Sequence, residues 1–197
     1  MRRSTHLLLG VAAAAPFAAL APPAGAVGCL CLGLIGGAFP DYLDLRSGAA
    51  RHLKHRGLSH SGLVLGLSTV AVFIVLDAVT RADTDLMPLP ATYARLWAAG
   101  FGLGLLSHLL SDACTRGGIQ PLLPLSKRRY WLLPRFLRGR SEGRVNGLAR
   151  LAAIVVLGVS LAIFLMVHTP LMMWMSVHVV GEPFWWPVKP QTLGRGV

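Results

Sequence analysis

Long apolar runs alternate with short polar stretches along the whole chain. Apolar residues fill roughly 7–21, 24–39, 62–80, 93–111 and 148–167, with a shorter run at 171–180. A membrane-crossing helix needs about 20 such residues, so the last three full runs are long enough and the first two are short. The short pair, "LLLGVAAAAPFAALAPP" followed by "AGAVGCLCLGLIGGAF", breaks at Pro22 and Pro23. Proline ends helices, so this pair predicts either two short spanning helices or a re-entrant hairpin. In both cases its ends return to one side. The pattern predicts an all-α fold, an integral membrane helical bundle of about five segments.

Composition agrees, since 54% of the 197 residues are hydrophobic and the mean hydropathy is +0.59. Such a chain is too apolar for an ordinary soluble domain. Its 19 Lys and Arg against 8 Asp and Glu, a net charge of +11, first suggest nucleic acid or anionic lipid as a partner. Placement changes that picture. Arg2 and Arg3, then Arg46, Arg51, Lys54 and Arg56, then the crowded loop at 113–147 all fall on one side when segments are counted. The opposite loop at 81–92 sets Arg81 against Asp83 and Asp85. By the positive-inside rule the basic side of this multi-pass membrane protein is cytoplasmic. Nucleic acid is then not needed to explain the charge, while attraction to anionic headgroups remains. The stretch 125–147 mixes Tyr130, Trp131 and Phe136 among basic residues. It reads either as an interfacial segment that docks headgroups or as a retention loop with aromatic anchors. Trp174, Trp185 and Trp186 suit the outer interface. Cys29, Cys31 and Cys114 make no CxxC pair and read as small buried apolar residues. The start, "MRR" before an apolar run ending in "AGA", also resembles a signal peptide, and cleavage near Ala26 would remove His6.

Ionisable residues are the exception in this chain, and they cluster. "FPDYLDLRSGAARHLKHRGLSHS" carries Asp41 and Asp44, then His52, His55 and His60; "GLLSHLLSDACTRGGIQPLLP" carries His108 and Asp112. The spacing of His108 and Asp112 places both side chains on one helical face, as paired ligands require. His6, Asp41, Asp44, His55, His60, His108 and Asp112 all fall on the basic side, near one membrane depth. His168, His178 and Asp77 fall toward the other side and read as interfacial or packing residues, and His52 is a weaker ligand candidate. Imidazole and carboxylate donors without thiolates suit zinc first, with manganese or ferrous iron as alternatives. Seven donors exceed the needs of one tetrahedral ion, which points to two divalent ions sharing an aspartate. Arg56, beside His55, reads either as a group that neutralises an anionic substrate or as a solvated or headgroup-facing arginine.

"STH" at 4–6, "PDYLD" at 40–44, "HRGLSHS" at 55–61, "HLLSDACTRGG" at 108–118 and "LLP" at 122–124 together resemble the YdjM-like inner-membrane metal-dependent hydrolases. The resemblance implies that residues 1–147 form a membrane-embedded hydrolase-like domain, with 148–197 a carboxyl-terminal transmembrane segment and tail. It implies that the seven His and Asp residues are the recurrent polar positions and that Glu142 matches a late glutamate of some members. More distantly, the order of an early His, Asp41 with His55, and His108 with Asp112 is similar to the zinc phospholipases C and zinc-dependent nucleases. That similarity implies phosphate-ester hydrolysis at a bridged zinc pair. The chain lacks the amino-terminal tryptophan and the late His-x3-Glu of that group, so a third zinc is not expected.

The expected function is therefore a metal-dependent hydrolase with a cytoplasm-facing site, acting on phosphate esters of lipids or of anionic substrates recruited to the bilayer. His6, Asp41, His55, His108 and Asp112 are its expected ligands. Asp44, His60 and Arg56 are its expected catalytic groups. The alternatives are a binding or regulatory membrane protein tied together by its metal, and an ion transporter, which would need ionisable groups deeper in the membrane.

Overall fold

The computed structural model describes residues 1–46, 58–82, 90–138 and 143–169. These residues form five α-helices: α1 (Arg3–Ala18), α2 (Pro23–Arg46), α3 (Gly62–Arg81), α4 (Ala91–Ala113) and α5 (Arg144–Val167). There is no sheet among them, only one isolated bridge between Ile119 and Tyr130. The fold is the all-helical bundle expected from the apolar pattern.

The double proline does not shorten the second segment; it starts it. Pro23 takes the first helical position, where a missing N–H leaves nothing unbonded, and α2 runs 24 residues to Arg46, past the apolar run and through Asp41 and Asp44. By length and composition three helices can cross a membrane: Pro23–Asp44, Gly62–Arg81 and Arg144–Val167. α4, whose apolar run is also long enough, falls below the hydropathy of those three and forms the centre of the bundle, with Phe101, Leu105 and His108 almost fully buried.

α4 packs on α2, α1 and α3, and α1 also packs on α2 and α5. The α1–α2–α4 contact is closed by backbone against backbone. A Cβ on Gly104 would sit 2.2 Å from the Gly33 carbonyl oxygen and 2.8 Å from the Gly37 nitrogen, and one on Gly10 would sit 2.4 Å from that same Gly33 oxygen. Only glycine permits this approach, the small-xxx-small packing of membrane helices in which close van der Waals contact replaces the hydrophobic drive. Larger side chains fill in beside it, with Leu65, Phe101, Leu105, Leu109 and Ala113 making one core and Ala14, Ala18, Ala26 and Cys29 another. α3 and α5 turn outward, and their spanning windows are only 6% and 11% buried. Exposed Leu67, Ile74, Val155 and Leu161 are what lipid would cover. Of the cysteines, Cys29 is buried as expected and Cys114 partly so, but Cys31 is exposed, because helical periodicity turns it away from its near neighbour. Burial pushes the Cys114 thiol up, keeping it protonated rather than a thiolate donor.

Candidate metal centre

Four chain segments bring polar side chains to one end of the bundle. α1 contributes His6 from its first turns and α2 contributes Asp41 and Asp44 from its last. A 3-10 turn at Leu58–His60 supplies His60. α4 ends with His108, Ser111 and Asp112. Local sequence explains the placement of His60: Ser61 caps α3 by accepting from the Val64 N–H at 3.2 Å, so the helix starts immediately after the histidine. At the end of α4, the Thr115 hydroxyl donates to the Asp112 carbonyl at 2.8 Å and holds the last turn.

The three histidines are oriented alike. His108 Nδ1–H donates to the Gly37 carbonyl at 2.8 Å. Ser111 Oγ donates to the His108 carbonyl at 2.8 Å, so toward His6 Nδ1, 2.9 Å away, it acts as acceptor. Ser59 Oγ donates to Asp44 Oδ1 and accepts from His60 Nδ1 at 3.0 Å. Each Nδ1 thus carries the proton and each Nε2 is left with its lone pair, the arrangement that outer partners impose on metal-ligating histidines.

Those Nε2 atoms meet the carboxylates. His60 and His108 Nε2 lie 3.1 Å apart. Asp41 Oδ1 lies 3.7 Å from His108 Nε2 and 4.0 Å from His60 Nε2. Asp112 faces both ways, with Oδ1 3.5 Å from His6 Nε2 and Oδ2 3.7 Å from His60 Nε2. The Met1 amino group also donates to Asp112 Oδ1 at 2.9 Å. The His6 ring stacks on His108 at 3.8 Å. His6, His60, His108 and Asp112 are each at most 1% exposed, while Asp41 is partly open.

This donor set fits a divalent cation. Metal–nitrogen distances of about 2.0–2.1 Å in a tetrahedral site put neighbouring donors roughly 3.4 Å apart, and the separations above bracket that value. His60 and His108 Nε2 are close enough to share a proton or a cation between them. The donors form two overlapping groups, His6 with His108 and Asp112, and Asp41 with His60 and His108, each with ligand atoms within 4.8 Å of one another.

Of the residues singled out from sequence, His6, Asp41, Asp44, His60, His108 and Asp112 come together. His52, His55, Arg56 and Glu142 lie outside the described residues. His168 stays apart at the end of α5, stacked on Phe164 at 4.2 Å, and Asp77 pairs with Arg81 at 2.8 Å on the exposed end of α3. Ser59, Ser111 and the Gly37 carbonyl were not singled out, yet they set the tautomers. Their one local signal is adjacency, as Ser59 precedes His60 and Ser111 precedes Asp112. Asn146 was missed as well: at the start of α5 it accepts from the buried Thr5 hydroxyl at 2.8 Å, tying α5 to the residue beside His6.

A family model described as YdjM inner membrane protein matches residues 1–181. No curated protein and no solved structure matches the chain.

Proposed function

The chain belongs to the YdjM inner membrane protein family, and on the geometry of its buried cluster we propose that it is a membrane-embedded, metal-dependent hydrolase. Its site opens to the cytoplasmic face, and its substrates are phosphate esters of lipids or of anionic molecules gathered at the bilayer. The observation that carries this reading is the convergence of three Nε2 lone pairs on Asp41 and Asp112.

One Nε2 lone pair binds one ion, so His108 completes only one of the two overlapping groups. His60, His108, Asp41 and Asp112 Oδ2 would hold one ion. His6 and Asp112 Oδ1 would hold part of a second, with His55 as the sequence candidate for its remaining donor. Asp112, having its two oxygens turned to different histidines, would serve both ions, and Asp41 would be a ligand. Zinc suits the donors best, with manganese or ferrous iron next. Bound there, such ions would supply an ionised water and polarise a phosphoryl oxygen. The chain's own residues do the rest. His60 belongs with the ligands, because its Nε2 faces the cluster. Asp44 acts on it through Ser59 as a positioning residue. Arg56 remains the proposed partner for substrate charge.

The near-complete burial of the histidines favours a second reading, in which the metal only ties α1, α2, α4 and the turn before α3 together. A catalytic site keeps an open coordination position; a structural one does not. Elemental analysis of detergent-purified wild type beside Asp112→Ala and His168→Ala, followed by a screen of phospholipid and other phosphate-ester substrates, separates the two. Transition metal in wild type and His168→Ala, lost in Asp112→Ala, with metal-dependent hydrolysis, supports the enzyme. Metal without turnover supports the structural tie. Equal metal content in wild type and Asp112→Ala refutes the centre.

A further inference from the structure

Beyond α4 the chain doubles back as a pinned loop. Ile119 and Tyr130 exchange backbone hydrogen bonds at 3.0 and 2.8 Å, and Gln120 Nε2 donates to the Lys127 carbonyl at 2.7 Å. The loop is fastened on both sides of the metal centre. Leu132 N–H donates to the carbonyl of Ala113, next to Asp112, at 3.1 Å, and the Pro121 carbonyl accepts from the N–H of Gly62, two residues after His60, at 2.8 Å. Trp131 lies against Gly118, which sits at φ +65 where a Cβ would come within 2.6 Å of the indole nitrogen. The Trp131 N–H donates to the Arg116 carbonyl at 3.2 Å, and the Arg138 guanidinium covers its ring at 4.5 Å.

What this scaffold holds outward is unusual in combination. Leu125 and Phe136 are 88% and 84% exposed, and Leu132 is 60% exposed. Among them Lys127, Arg128, Arg129 and Arg135 are exposed as well. Residues 114–138 contain no Asp or Glu. Retention of a loop on the cytoplasmic side requires only the charges. Apolar side chains held away from the bundle require an apolar partner, and the cations between them require that its surface be negative.

We propose that residues 119–138 form a docking platform for an anionic bilayer surface. Leu125 and Phe136 insert below the headgroups, while Lys127, Arg128, Arg129 and Arg135 engage the lipid phosphates. Because the loop is tied to residues flanking Asp112 and His60, its depth in the membrane sets the position of the metal centre relative to the headgroup layer. The platform does not depend on whether that centre is catalytic.

The test uses the full chain with its three cysteines replaced, an environment-sensitive fluorophore on Leu125→Cys or Phe136→Cys, and nanodiscs of phosphatidylcholine alone or mixed with phosphatidylglycerol. A label on Leu67→Cys, on the outward face of α3, is the positive control for an apolar setting in both. The expected result is a blue-shifted emission for positions 125 and 136 only in the anionic discs. It should revert in high salt and in the combined variant Lys127→Glu, Arg128→Glu, Arg129→Glu. Equal emission in the two membranes, whether blue-shifted or water-like, overturns the proposal, as does a blue shift untouched by charge reversal, which would point to a protein contact instead.

Discussion

Replacing Gly104 with alanine tests how the bundle places its candidate metal centre. The new Cβ would lie 2.2 Å from the Gly33 carbonyl oxygen, 2.8 Å from the Gly37 nitrogen and 3.1 Å from the Gly33 carbonyl carbon. All three are backbone atoms, so no side chain can rotate away, and α2 and α4 must separate by about 1 Å to restore ordinary contact. Overpacking of this kind costs about 1–3 kcal/mol, and the rigidity of the obstacle places it at the upper end. The gain in helix propensity returns at most about 1 kcal/mol, leaving a net destabilisation of about 2 kcal/mol. Gly158→Ala is the matched control, since its Cβ meets nothing within 4 Å and should be neutral or stabilising by at most about 1 kcal/mol. Reversible unfolding in mixed micelles measures both. Gly104 is also one helical turn before His108, whose Nδ1–H donates to Gly37, so Gly104→Ala should weaken metal binding while Gly158→Ala should not. If the two variants shift stability in the same direction by similar amounts, the backbone-contact argument is wrong.

Ser111→Ala removes the acceptor for His6 Nδ1–H, and Ser59→Ala removes the one for His60. Each should weaken metal affinity by about 10–100-fold without abolishing it, as read by chelator competition, and unchanged affinity in both would mean that the hydroxyls do not orient the rings. Asn146→Ala leaves the buried Thr5 hydroxyl without its acceptor and should destabilise by about 1–3 kcal/mol. The double change with Thr5→Val should recover part of that loss in the same micelle unfolding assay, and no recovery would show that the hydrogen bond is not the cause.

Much of the helix set is legible in the chain because it depends on local runs. Apolar lengths mark five segments, and spacing alone puts His108 and Asp112 on one face. That His6, Asp41, Asp44, His60, His108 and Asp112 belong to one end of the bundle also follows from counting segments. The full length of α2 is not legible from its apolar run, because the helix continues beyond Phe39 through Pro40, Asp41 and Asp44 to Arg46. The central place of α4 was not visible either, since burial depends on neighbours and not on how apolar the helix itself is.

Convergence of the donors belongs to the tertiary structure. Ring tautomers follow from Gly37 and Ser111, each brought to a histidine of another segment, and from Ser59, whose hydroxyl is turned into an acceptor for His60 by Asp44 of α2. The opposed oxygens of Asp112 acquire meaning only when His6 and His60 arrive from two other segments. That arrival depends on α1, α2 and α4 touching backbone to backbone at Gly10, Gly33, Gly37 and Gly104. A single chain records these glycines, but their contacts span up to dozens of residues, and nothing local states which pairs will meet. Run length and charge therefore determine from sequence that the chain is a helical membrane protein with a cluster of His and Asp residues at one end. Only packing, which is non-local and steep with distance, decides that those groups form a centre fit to hold a metal.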